Sequence, residues 1–236
     1  MTPRRFFRYE LRTTDAPAAA RFYAEALGLE LAPGVVGAVE ASTLPERAIA
    51  NGARPHWLGH VDVSDVDASV AAFVARGAQQ LGPLQHRADG ARHAVVRHPV
   101  GAMLALSSAS SLPPDPRVGW HQLATTDRAA ALSLLGDLLG WVGRDETTLP
   151  AELGTQQSLA WSVDGPVVGG VSDTARRPGV HVQWLFHFVV PDVDATCEKV
   201  RARGGLALAP VSLPNGMRFA ACDDPQGAAF GLMSLG

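Results

Sequence analysis

The sequence predicts an α+β fold in which one β-α-β-β-β module is used four times. Three observations carry this prediction. The chain is an internal duplication, each half is a weaker duplication of itself, and each quarter sets an apolar strand before an Asp-led, Ala-rich helix.

HWLGHVDVSDVDASVAAFVARGAQQLGP (His56 to Pro83) aligns with QWLFHFVVPDVDATCEKVRARGGLALAP (Gln183 to Pro210). Trp57, His60, Asp67, Gly77 and Pro83 match Trp184, His187, Asp194, Gly204 and Pro210, always at an offset of 127. HPVGAMLAL (His98 to Leu106) continues against DPQGAAFGL (Asp224 to Leu232) at 126. YELRTTD (Tyr9 to Asp15) matches HQLATTD (His121 to Asp127) at 112, so the first half is about 15 residues shorter after its first helix. A strand or long hairpin is expected to be trimmed there. The copies run from about Arg5 to Ala109 and from about Val118 to Gly236. The expected domains are residues 1–110 and 118–236, with 111–117 as a Ser- and Pro-marked linker.

Each helix is expected to start at an Asp N-cap, since a carboxylate accepts from the unpaired amides of the first turn. Asp15, Asp67, Asp127 and Asp194 are the predicted helix-starting acids. The first helix reaches Leu27 and stops at Gly28; the others cover Ala68–Arg76, Arg128–Leu139 and Ala195–Arg203, with stops at Gly77, Gly140 and Gly204. Two or three strands follow each helix. Their turns fall at Asp89-Gly90, Pro99-Val100-Gly101, Asn215-Gly216 and Pro225-Gln226-Gly227. Strand parity then sorts side chains. Phe7, Tyr9, Leu11, Val61, Val63, His121, Leu123, Phe188 and Val190 lie under helices. Arg8, Glu10, Arg12, His60, Trp120, Gln122 and His187 face the other way. Charged and aromatic groups on a helix-free sheet face point to a cavity. Trp57 and Trp184 have the opposite parity and are expected to fill packing space.

Bulk composition excludes several classes. The chain has 236 residues, 47% hydrophobic and 18% charged, with a net charge of −3 and no basic stripe, so no nucleic-acid partner is expected. Two cysteines, Cys197 and Cys222, form no framework and suit a reducing, cytoplasmic setting. No apolar run approaches the roughly 18 residues of a membrane span. His86, His93 and His98 fit no zinc spacing and are expected on the surface of a hairpin.

TTDRAAALSLLGDLLGW, GHVDVSDVDASVAAFVARGA, HFVVPDVDATCEKVRARGG and DDPQGAAFGL resemble the vicinal oxygen chelate superfamily of glyoxalase I, bleomycin-resistance proteins and extradiol dioxygenases. The likeness extends over almost the whole chain, least clearly at Gly34–Pro55, and is that of two-domain glyoxalase-like proteins. It implies two half-barrel domains, each curled around one pocket. It also implies a place for metal ligands: a first-strand residue seven before the helix-starting acid, and a last-strand Glu four past the DP-x-G glycine. Those counts give Arg8, His60, Trp120 and His187 on first strands, and Ala105 and Gly231 on last strands. Arginine and tryptophan do not ligate, and neither Ala105 nor Gly231 carries an oxygen. No cofactor is therefore expected, a divalent metal being the alternative.

The expected ligand contacts are Arg8, Glu10 and His60 in the first half and Trp120, Gln122 and His187 in the second. No catalytic residue is assigned; His60 and His187 are the candidates, as imidazoles suited to proton transfer or as polar anchors. Arg8 suits a ligand carboxylate or phosphate, against a charge pair with Glu10 and Arg12 at a solvated rim. Trp120 suits stacking on a planar ligand, against core filling. The leading functional reading is a metal-independent drug- or metabolite-binding protein. One alternative is a lyase, isomerase or dioxygenase using His60 or His187; another is a scaffold with vestigial pockets. The expected partner is a small-molecule ligand. A monomer fits, since two joined domains supply the pairing, and a homodimer is the alternative.

Overall fold

The computed structural model describes residues 4–31, 39–87, 90–100, 102–108, 115–149, 153–213 and 216–234. The first quarter holds β1 (Phe6–Thr13), α1 (Ala16–Leu27), β2 (Val39–Thr43) and the short α2 (Glu46–Ala50). The second holds β3 (His56–Asp62), α3 (Val66–Ala75), β4 (Gln79–Gln80), β5 (Gln85–His86), β6 (Arg92–Arg97) and β7 (Met103–Ser107). The third holds β8 (Val118–Ala124), α4 (Arg128–Leu139), β9 (Val142–Thr148), β10 (Thr155–Ala160) and β11 (Val167–Ser172). The fourth holds β12 (Gln183–Val189), α5 (Val193–Ala202), β13 (Leu206–Ala207), β14 (Val211–Ser212), β15 (Arg218–Asp223) and β16 (Ala229–Ser234).

The strands form two mixed sheets. One runs β2-β1-β3-β7-β6-β4 with β5 on β6; the other runs β13-β15-β16-β12-β8-β11-β10-β9 with β14 on β15. Every quarter closes alike, its first strand pairing in parallel with its last: β1 with β2, β3 with β7, β8 with β11 and β12 with β16. The fold is α+β, as expected. In the shortened quarter β2 takes the place that β11 holds in the third. No counterpart of β9 or β10 occurs among the described residues before it. The expected turns at Asp89, Gly101 and Asn215, and linker residues 111–114, lie outside the described residues.

The chain divides into two compact units. One holds the described residues of Met1–Phe7, Gly59–Pro114 and His121–Trp184; the other holds those of Arg8–Leu58, Asp115–Trp120 and Leu185–Gly236. The first unit packs Phe6 against His121, Trp141, Trp161 and Trp184, with ring centroids 5.2–5.7 Å away. The second packs Tyr23 against Trp57 and Phe230, both at 5.3 Å. Trp57 and Trp184 are buried, as their parity predicts.

Four helices begin at Asp caps, but two of the caps differ from expectation. The carboxylates of Asp15, Asp65, Asp127 and Asp192 accept from the amides of Ala18, Ala68, Ala130 and Ala195 at 2.9–3.0 Å. Asp67 and Asp194 lie two residues further on, within the first turn, and pair instead with Arg92 at 2.6 Å and Arg218 at 2.7 Å. The Asp-Val-Asp tripeptide offers two acids, and the first sits where the backbone is still extended, at φ −137 for Asp65 and −143 for Asp192. An N-cap needs that extended geometry. Helices α1 and α4 end at the expected Gly28 and Gly140, at φ 67 and 76, a left-handed backbone that glycine adopts without strain.

One further expectation is corrected. His93 and His98 are buried rather than on a hairpin surface; of the three histidines of this stretch, His86 alone is exposed. His98 replaces the turn aspartate of the fourth quarter: its Nδ1 accepts from the Val100 amide at 3.1 Å, as Asp224 accepts from Gln226 at 2.9 Å.

Candidate functional site

Moving two caps moves the alignment of the quarters. Seven residues before the true caps stand Arg8, Leu58, Trp120 and Leu185. Five before them stand Glu10, His60, Gln122 and His187. His60 and His187 are therefore not at the first-strand metal position that the resemblance implies. They are the equivalents of Glu10 and Gln122, one step further along the same strand face. The last-strand position opposite this layer is read from the pairing: Glu10 faces Glu40, His60 faces Ala105, Gln122 faces Gly170 and His187 faces Gly231.

The layer is built in one way three times. The Ser42 hydroxyl donates to Glu10 Oε1 at 2.6 Å, Ser107 Oγ meets His60 Nδ1 at 2.8 Å, and Gln122 Nε2 donates to Ser172 Oγ at 3.2 Å. Each serine lies two residues beyond the facing residue on the neighbouring strand. In the fourth quarter Met233 takes that place, and the His187 ring lies against Gly231 instead. A second ring contact repeats as well. His60 meets His93 and His187 meets Phe219, each at 5.4 Å. His93 and Phe219 are equivalent by register, facing Ser107 and Met233.

The predicted site residues divide as follows. Trp120 and His187 are brought together through Phe219, whose ring is 6.0 Å from the indole and 5.4 Å from the imidazole. Trp120 and Phe219 are half-buried and His187 is 6% exposed. Gln122 is half-buried beside Ser172. Glu10 is held by Ser42 and by Arg12, 3.1 Å away. Arg8 is 1% exposed, so the solvated-rim reading of this charge group fails: it is an interior cluster that includes the buried Glu40. His60 is fully buried beside His93 in the other unit from Arg8 and Glu10.

Glu40 was missed because it falls in the stretch Gly34–Pro55, where the repeat does not align. It puts one carboxylate at a last-strand position that the counts from the two DP-x-G turns, which gave Ala105 and Gly231, do not reach. Phe219 and the three serines were also missed. The one sequence signal for them was a serine recurring at the end of β7 and β11.

The donor set does not fit a divalent ion. First-strand positions carry Arg8, Leu58, Trp120 and Leu185, and last-strand positions carry Glu40, Ala105, Gly170 and Gly231. Only Glu40 is a metal donor among these eight, whereas a site needs three or four. Among the described residues no group of three or more His, Cys, Asp or Glu could hold a metal ion. Elsewhere, Trp57 Nε1 donates to Tyr23 OH at 2.9 Å, and Tyr23 OH donates to Asp224 at 3.3 Å. Burial pushes both the Tyr23 hydroxyl and the Asp224 carboxyl above their ordinary ranges. Cys197 and Cys222 are buried thiols, likewise pushed up by burial, which disfavours thiolate chemistry.

Comparison with known proteins agrees with this frame. Residues 8–107 match the glyoxalase-like domain family, and residues 117–232 match the glyoxalase/bleomycin resistance protein/dioxygenase superfamily. CFP32 of Mycobacterium tuberculosis, a provisionally named glyoxylase, is 31% identical over 95% of this chain and 92% of its own. The anthracycline biosynthesis protein DauV of a Streptomyces species is 27% identical over 76% of this chain and 66% of its own. A Mn(II)-bound glyoxalase from Novosphingobium aromaticivorans shares the fold, with a TM-score of 0.64 at 17% identity over 99% of this chain and 82% of that one. With one family or the other matched in each half and a relative at 31% identity along nearly its full length, the chain belongs to the glyoxalase/bleomycin resistance protein/dioxygenase superfamily as a two-domain glyoxalase-like protein.

Proposed function

We propose that the protein binds a planar, oxygen-bearing small molecule without a metal ion, and that the second half carries the binding groups. The observation behind this reading is the ring set of Trp120, Phe219 and His187 within one compact unit. An indole and a phenyl face offer stacking, and an imidazole offers one directional hydrogen bond. Such a mixture of apolar walls with few polar groups suits a small aromatic ligand. The similarity to an anthracycline biosynthesis protein supports the choice of ligand class. Fluorescence titration with an anthracycline and with anthraquinone-2-sulfonate tests it. Saturable binding is expected, weakened at least about tenfold by Trp120→Ala and by His187→Ala. About one tightly held divalent ion per chain in a metal analysis would overturn the metal-free reading.

A second reading is favoured by one bond. Ser107 fixes the His60 ring through Nδ1, as a general base needs. On that reading the protein is a lyase, isomerase or dioxygenase acting through His60 or His187. Unchanged turnover of an identified substrate in both His→Ala variants would sink it.

A further inference from the structure

The two half-repeat histidines occupy equivalent positions and sit differently. His60 faces Ala105 and is tied to Ser107. His187 faces Gly231, and the serine's place is taken by Met233. A Cβ built on Gly231 would lie 2.6 Å from His187 Nε2 and closer still to Cγ and Cδ2. The obstruction includes Cγ, the root of the ring, so no small swing of a side-chain tip relieves it. Gly231 is not among the glycines of positive φ, so its need for glycine is one of space. The ring also meets Phe219, at an interplanar angle of 81°. The other second-half position of this kind, Gly170, is filled in the same manner: a Cβ there would come within 3.0 Å of Gln122 Oε1 and nearer to Gln156 Oε1.

We propose that Gly231 is the positioning residue of the second half: it seats the His187 imidazole in the volume that a closing carboxylate takes in metal-dependent relatives. An imidazole, rather than a side chain at 231, is then the polar group presented there. The seat itself rests on the distances above; its use in holding a ligand oxygen rests on the ligand-binding reading. The first half shows the alternative setting, alanine with serine, around the equivalent histidine.

Gly231→Ala, His187→Ala and the double variant form a thermodynamic cycle. Gly231→Ala is expected to lower Tm by roughly 5 °C in the wild-type background and to be nearly silent beside His187→Ala. Additive effects overturn the seat. The His187 ring signals in the NMR spectrum, identified by their loss in His187→Ala, are expected to move in Gly231→Ala. Unmoved ring signals also overturn the proposal. Zn2+ alone, titrated calorimetrically, is expected to show no site that His187→Ala removes; a stoichiometric site lost in that variant overturns it too. A wild type that binds neither quinone probe while the cycle is non-additive rejects the ligand-binding reading and keeps the seat.

Discussion

Single atoms decide much of the interior polar chemistry. Tyr23 OH accepts from the Trp57 indole and donates to Asp224, which also accepts from the Gln226 and Ala228 amides, each at 2.9 Å. Tyr23→Phe leaves a buried indole N–H and a buried carboxylate each short of a partner. A loss of about 1–3 kcal/mol is expected by urea denaturation, with little change in m-value. The serine ties act on a smaller scale. Ser172→Ala frees the Gln122 amide from its 3.2 Å bond, and about 1 kcal/mol is expected.

Helix starts give the plainest test of the corrected alignment. Asp65 caps α3, whereas Asp67 makes an exposed ion pair with Arg92. Asp65→Ala is expected to cost about 1 kcal/mol and Asp67→Ala well under that, by thermal or chemical denaturation of the two variants. The opposite order would restore the cap first read from the sequence. Helix existence, the glycine stops and the four-fold module were legible because they are local: apolar period, Asp before the helix, glycine after it. The offset of 127 needed only counting. What was not legible is set by pairing across strands. No spacing reveals that Glu40 faces Glu10, that Ser42 reaches Glu10, or that Gly231 lies under His187. The two-residue error in the caps kept strand parity intact. His60 and His187 were thus put on the right face while being given the wrong family position.

Two imidazoles tie the whole molecule's stability to pH. Burial holds His98 and His121 at about 4, below their ordinary 6.5; His121 also donates from Nδ1 to the Val168 carbonyl at 2.9 Å. Between those values the unfolded chain takes up protons that the folded one refuses. Stability is therefore full above about pH 6.5 and falls as pH drops toward 4. Urea midpoints measured from pH 8 to 4 should show this, and His98→Asp, which copies the fourth-quarter turn, should make the fall shallower. A midpoint flat across that range would contradict the neutral assignment of both rings.

The shortened first quarter also bears on the order in which the chain ties itself together. Glu10 meets Glu40 across 30 residues, whereas the equivalent pairs span 45, 48 and 44. Loop closure is then easier by about 0.4 kcal/mol for β1 and β2 than for β8 and β11. Pulsed hydrogen exchange during refolding should find the β1–β2 amides protected ahead of the β8–β11 amides. The shorter span would then be a head start: the quarter whose first and last strands lie nearest in sequence becomes the first to finish.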